Sequence, residues 1–140
     1  MNINTKIRYG LRSMIEIGSA DDNMGVLQKD IAEKQDISLK YLDSIISALK
    51  RAKLIENKDG RGSGYVLTRD ASRITMLDIY TAFDPIKVVE CVCDSSFCDK
   101  SQNGCRANSY WTEFRYEVMN ILRKKNLAQI IRDEGMGCNK

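Results

Sequence analysis

Histidine is absent from the 140 residues. Its absence excludes the Ser-His-Asp and Cys-His catalytic arrangements and every histidine metal ligand. A single proline, at position 85, leaves the chain free to run in helices with few enforced breaks. No apolar run approaches the ~18 to 20 residues of a membrane span, and the N-terminus has no signal-peptide core. The chain therefore reads as cytoplasmic, without a membrane partner. Charge of neither sign dominates: 22 basic against 19 acidic residues leave a net +3. Any case for nucleic-acid binding must rest on where the cations stand rather than on their number.

Hydrophobic residues make up 43% of the chain and charged ones 29%, the composition of a globular domain rather than a disordered one. Cysteine is the unusual ingredient. Disulfides are rare in a reducing compartment, and five cysteines cannot pair completely. Four of them, Cys91, Cys93, Cys98 and Cys105, fall close together, with Cys138 a bystander in a tail expected to fray.

Helical spacing of Ile7, Leu11, Met14 and Ile15 predicts a helix over 5–18, with Thr5 as its cap. Lys6 and Arg8 lie in its first turn, where the helix dipole disfavours cations. They are either a tolerated solvated face or a pair aimed at an external phosphate. A short helix follows over 28–35, poorly capped by Leu27, and then a tight connection at Asp36-Ile37. Ser38 caps a longer amphipathic helix with Leu39, Leu42, Ile45, Ile46 and Leu49 on one face. Lys40, Tyr41, Asp43, Ser44, Ser47, Lys50 and Arg51 occupy the other. Two helices joined so tightly, the second with a polar N-terminal end, form a helix-turn-helix pattern.

Residues 54–58 and 65–67 read as strands around the turn Asp59-Gly60-Arg61-Gly62-Ser63-Gly64. The glycines precede no helix and no Lys-Ser/Thr pair follows, which argues against a phosphate-cradling loop. A hairpin with a basic tip after a helix-turn-helix is a wing. Thr75 and Asp78 then predict a capped helix ending near Asp84-Pro85. Residues 87–108 have no sustained period. From Ser109 a long helix carries Trp111, Phe114, Val118 and Ile121 as an apolar seam, and Asn126 caps a last short helix. The expected fold is mainly α with a small β-hairpin: a winged helix-turn-helix over 1–75, then a cysteine loop and a long dimerisation helix over 76–140.

The spacing Cys91-x6-Cys98-x6-Cys105 places three soft ligands before a helix, with Cys93 an alternative first ligand. It lacks the Cys-x2-Cys knuckles of structural zinc. An iron–sulfur cluster, of 2Fe–2S or 4Fe–4S type with a non-cysteine or external fourth ligand, fits this donor set. The competing reading is a loop that is redox-active or inert. No Cys-x-x-Cys pair and no acid–base constellation supports an enzyme.

Several segments carry a resemblance to a known family. They are Thr5-Lys6-Ile7-Arg8-Tyr9-Gly10-Leu11-Arg12, Asp30-Ile31-Ala32-Glu33, Ile37-Ser38-Leu39-Lys40-Tyr41-Leu42, Gly64-Tyr65, Val89-Glu90-Cys91, Trp111 and Leu127-Ala128. Together they closely resemble the Rrf-type winged-helix transcription regulators, the group of IscR, NsrR and CymR. The resemblance implies a homodimer with paired long helices, each recognition helix and wing reading one half of a pseudo-palindromic operator in double-stranded DNA. The candidate DNA-facing residues are Thr5, Lys6, Arg8, Gln28, Ser38, Lys40, Tyr41, Asp43, Ser44, Arg61 and Gly62. It also implies that the three cysteines hold a cluster through which redox, nitric oxide or iron–sulfur status is sensed. The alternative within the same fold is a cluster-free repressor controlled by a partner protein or by thiol oxidation.

The chain departs from the family pattern at three places. Asp59 stands where family wings often carry a cation, leaving Arg61 to take its part. Ser63 replaces a wing glycine. Asn108 stands where the iron–sulfur branch has a histidine three residues after its last cysteine. Asp43 in the recognition helix can accept from cytosine N4 or repel competing sequences.

Overall fold

The computed structural model describes residues 1–21, 24–94, 96–98 and 104–133. Cys138 and the tail beyond Asp133 lie outside them. Helix α1 (Thr5–Ser19) is capped by Asn4 rather than by Thr5: the Asn4 Oδ1 accepts from the Ile7 amide at 3.0 Å. Asn4 keeps an extended backbone with its side chain over the first turn, and Thr5 is already helical. Ile7, Met14 and Ile17 face inward from α1. The buried Ser13 hydroxyl satisfies itself on the Tyr9 carbonyl at 2.8 Å.

Helix α2 (Gln28–Gln35) starts from Leu27 with no side-chain cap, as its sequence implied. It stops at Asp36, whose left-handed backbone (φ 52°) turns its amide onto the Ala32 and Glu33 carbonyls. A short polar side chain tolerates that conformation. Ile37 is buried directly after it. Ser38 caps helix α3 (Leu39–Arg51), its Oγ accepting from the Tyr41 amide at 3.2 Å. Leu42, Ile45, Ile46, Ala48 and Leu49 then bury the apolar face.

Strand β1 (Ile55–Asn57) is one residue shorter at each end than the pattern implied, β2 (Tyr65–Leu67) has the expected bounds, and the two pair antiparallel, Ile55 opposite Leu67 and Asn57 opposite Tyr65. Val26 adds a bridge on the far side of β2, exchanging backbone hydrogen bonds of 2.9 and 2.8 Å with Tyr65. The approach is backbone on backbone. A Cβ built on Gly64 would meet the Gly25 carbonyl carbon at 2.6 Å, so the Gly64-Tyr65 pair has a steric reason.

Helix α4 (Met76–Thr81) begins with the Thr75–Asp78 capping box. Its regular part closes before Asp84-Pro85, and the chain continues in turns through Phe83 and Asp84, whose amides reach the Tyr80 carbonyl. A short helix, α5 (Glu90–Cys93), forms inside the segment expected to be irregular. Helix α6 (Arg106–Arg123) starts three residues before Ser109, and α7 (Leu127–Arg132) begins with a reciprocal Asn126–Gln129 box.

The larger core joins α1, α2, α3, the wing base, α4 and α7, through Met14, Ile31, Leu42, Ile45, Leu49, Leu54, Ile74, Ile79 and Leu127. The smaller gathers Ile7, Tyr80 and Ile86 with Val118, Met119 and Leu122 of α6. The anticipated four-residue seam of α6 is therefore divided. Val118 packs inward beside Met119 and Leu122, whereas Phe114 and Ile121 stay 40% and 62% exposed. Three- and four-residue spacing permits either face, and the second core selects one. Among the described residues, no helix is long and apolar enough to cross a membrane.

Candidate nucleic-acid interface and cysteine loop

The N-terminal end of α3 presents Ser38, Lys40, Asp43 and Ser44 to solvent. Two internal ties set its orientation, and a third fixes α2 on α1. Gln28 Nε2 of α2 donates to Asp43 Oδ1 at 2.5 Å and lies 3.5 Å from the Leu39 carbonyl. Tyr41 is half-buried and meets the Tyr9 ring edge-on, centroids 5.8 Å apart, so α3 is braced against α1. Arg12 of α1 donates through Nε to Gln35 Oε1 and through Nη2 to the Gln35 carbonyl, both at 2.6 Å, and its guanidinium covers the Tyr9 ring. Gln35 passes the contact on to Glu16 at 2.6 Å. The helix-turn-helix angle is thus held by charge-assisted hydrogen bonds as well as by the core.

Of the sequence-derived candidates, Thr5, Lys6 and Arg8 stand exposed at the start of α1. Lys40, Asp43 and Ser44 stand exposed on α3, and Arg61 and Gly62 at the wing tip. Gln28 and Tyr41 are different. Both are half-buried and spend part of their side chains inside the protein. The Ser44 hydroxyl donates to the Tyr41 carbonyl at 2.8 Å and keeps its lone pairs outward.

Arg12 and Gln35 emerged only from the fold. So did a polar path from α3 into the wing: Lys50 Nζ to Asn57 Oδ1 at 3.0 Å, and Asn57 Nδ2 to the Ser63 carbonyl at 3.2 Å. The one sequence signal for that path is an asparagine inside a strand, where it is disfavoured.

The cysteine loop links α4 to α6. Cys91 and Cys93 lie on α5, Cys105 immediately precedes α6, and Cys98 sits on the connection; Cys93 is exposed and the other three are half-buried. Asn108, in the first turn of α6, donates its amide to the Cys91 carbonyl at 3.0 Å. Thr112 hydroxyl bonds the Asn108 carbonyl at 2.8 Å. Arg115 Nε reaches the Ile86 carbonyl at 2.8 Å. The Cys91 turn is thereby fastened to the helix that Cys105 opens.

The loop also carries local polar turns. Asp94 accepts from the Ser96 hydroxyl at 2.6 Å and from its amide at 2.9 Å, and the hydroxyl above all holds the carboxyl below its ordinary range. Lys87 pairs with Glu90 at 2.7 Å, which raises the lysine above its usual value. Among the described residues, no three Cys, Asp or Glu side chains stand grouped as a metal-holding set. The fit to an iron–sulfur centre is one of donor chemistry and of chain placement: three soft thiols, two of them on segments hydrogen-bonded together.

Comparison with known proteins agrees with this architecture. Residues 3–133 match the family model described as Rrf2, iron-dependent transcriptional regulator. Protein rrf2 of Nitratidesulfovibrio vulgaris is 31% identical over 137 residues, 97% of this chain and 91% of that protein. The HTH-type transcriptional regulator IscR of Yersinia pseudotuberculosis is 28% identical over 134 residues, 96% of this chain and 81% of that protein. The structure of CymR (YrzC), the global cysteine regulator of B. subtilis, superposes with a TM-score of 0.74 at 31% identity, covering 94% of this chain and 96% of that one.

Proposed function

Since the chain belongs to the Rrf2 family of transcription regulators and not to a class of enzymes, we propose that it is a homodimeric, iron–sulfur-responsive regulator of a pseudo-palindromic operator. The observation that carries the DNA-reading part is the shared exposure of the α3 N-terminal end, the start of α1 and the wing tip. An α-helix end fits the major groove, and a wing with a single arginine between glycines fits the narrower minor groove. Lys40, Asp43 and Ser44 are the base-reading residues. Lys6 and Arg8 meet phosphate, aided by helix amides that point outward. Gln28 serves by aiming the Asp43 carboxylate.

The dimer reading is supported by Tyr110, Phe114 and Ile121, which are exposed along one side of α6, a helix with no fully buried residue in the single chain. Large apolar patches of this sort usually meet a partner. A second copy placed there sets two recognition helices in two-fold symmetry, which an inverted-repeat operator mirrors.

Cys91, Cys98 and Cys105 would hold the cluster, with Cys93 able to take the place of Cys91. Bound there, the group supplies redox- and ligand-sensitive Fe–S bonding. The protein's part is mechanical. The α5 turn is hydrogen-bonded to α6, and α6 packs on Ile7 and Tyr80, so rearrangement of the loop can tilt α6 and change the spacing of the two recognition helices. A cluster-free regulator governed by a partner or by thiol oxidation is the second reading. The likeness to a regulator of cysteine metabolism favours it.

Selection from a random-sequence duplex library tests the DNA assignment. Enrichment of an inverted repeat by the wild-type protein is expected. Enrichment of none, or of an asymmetric site, contradicts it.

A further inference from the structure

The wing tip is not a slack loop. Ser63 Oγ donates to the Gly60 carbonyl at 2.6 Å and accepts from the Asp59 amide at 3.0 Å, while the Ser63 amide also reaches the Gly60 carbonyl at 3.2 Å. The Lys58 amide closes the base of the turn on the Gly64 carbonyl at 2.9 Å. Arg61 is thereby presented between Gly60 and Gly62, at φ of 97° and 87°. A Cβ on either would touch nothing within 4 Å, so the left-handed backbone, not crowding, requires glycine at both.

This tip is tied to the recognition helix. Asn57 uses both ends of its carboxamide, the oxygen on Lys50 Nζ and the nitrogen on the Ser63 carbonyl. Lys50, in the last turn of α3, also stands over the Tyr65 ring, 5.8 Å from its centroid. Its ammonium is therefore engaged within the protein at a point where recognition helix and wing meet.

We propose that Asn57 and Ser63 are positioning residues that hold the Arg61 backbone in a preformed turn at a fixed offset from α3, so that helix and wing address DNA as one rigid unit. The proposal rests on the DNA-reading assignment and adds to it how the wing arginine is aimed. Without the two side chains, Arg61 would have to order its turn on binding, and that entropy would weaken association. The Ser63 hydroxyl is then the element that builds the tip around Arg61.

The test is fluorescence anisotropy on a duplex that the wild-type protein enriches from a random library, with variants whose circular dichroism matches wild type. Ser63→Ala and Asn57→Ala should each bind about three- to tenfold more weakly, the span of one or two lost hydrogen bonds. Ser63→Thr, which keeps the hydroxyl, should restore binding. In an Arg61→Ala background Ser63→Ala should add no further loss, because nothing is left to aim. Binding by both single variants at wild-type strength overturns the proposal, as does a Ser63→Ala loss that multiplies with that of Arg61→Ala. A wild-type protein that enriches no duplex overturns the DNA-reading assignment, and this proposal with it.

Discussion

The Asn108 side chain donates to the backbone carbonyl of Cys91 over 3.0 Å, seventeen residues back along the chain. This bond fastens the short helix α5 to the first turn of α6. Asn108 is thus committed to a main-chain partner. In this chain the position works as a clamp between the cysteine loop and α6.

Asn108→Ala should release that clamp. One neutral hydrogen bond is worth about 1 kcal/mol, so local opening of the Cys91 turn should become about fivefold more frequent. Alkylation of Cys91 by iodoacetamide in metal-free protein, read by mass spectrometry, should accelerate accordingly. Cys93, already exposed, should accelerate less.

Gly10 lies in the middle of α1 because Phe83 fills the space over it. A Cβ at position 10 would stand 2.4 Å from the Phe83 ring. Gly10→Ala gains helix propensity but forces the ring, and with it the turn after α4, to move. A net destabilisation of about 1–3 kcal/mol is expected from such overpacking. A lower urea midpoint with an unchanged slope would show it.

Much of the architecture was legible in local signals. Ser38 with the α3 heptad pattern, the Thr75–Asp78 box, the Asn126 cap and the glycine-rich wing each appear where spacing and capping chemistry put them. Apart from the local choice of the α1 cap, what escaped depended on contacts between distant segments. Asn4 took the cap from Thr5 because two adjacent polar residues could each serve. Helix α5 has only four residues, too few for a period to show, and is held by Asn108 from α6. Val118 turned inward because Ile7 and Ile86 offered it a core that the seam pattern cannot announce. At the candidate interface, residue types were readable on α3, but the internal engagement of Gln28, Tyr41 and Lys50 was not.

Charge placement predicts two distinct salt responses. Arg8→Ala should weaken binding to enriched and scrambled duplexes alike and reduce the salt slope by about one phosphate contact. Arg61→Ala should instead weaken the enriched duplex more and blur preference beside the half-site. Salt titrations on the two duplexes separate them.

Assembly should depend on the exposed stripe of α6. Phe114→Glu with Ile121→Glu should shift light-scattering mass from twice 15.9 kDa toward 15.9 kDa while leaving the helical content intact. Neither side chain belongs to a buried core, so folding should survive the charges.

The most direct test of the account is the operator affinity of anaerobically prepared protein with its iron and sulfide present and after their removal, in wild type and in Cys98→Ala/Cys105→Ala. Wild type should carry iron and sulfide, and its affinity for the enriched duplex should change when they are removed. The double variant should carry neither and should bind alike before and after the treatment. Equal iron and sulfide in both proteins, or a wild-type affinity indifferent to their removal, would contradict it.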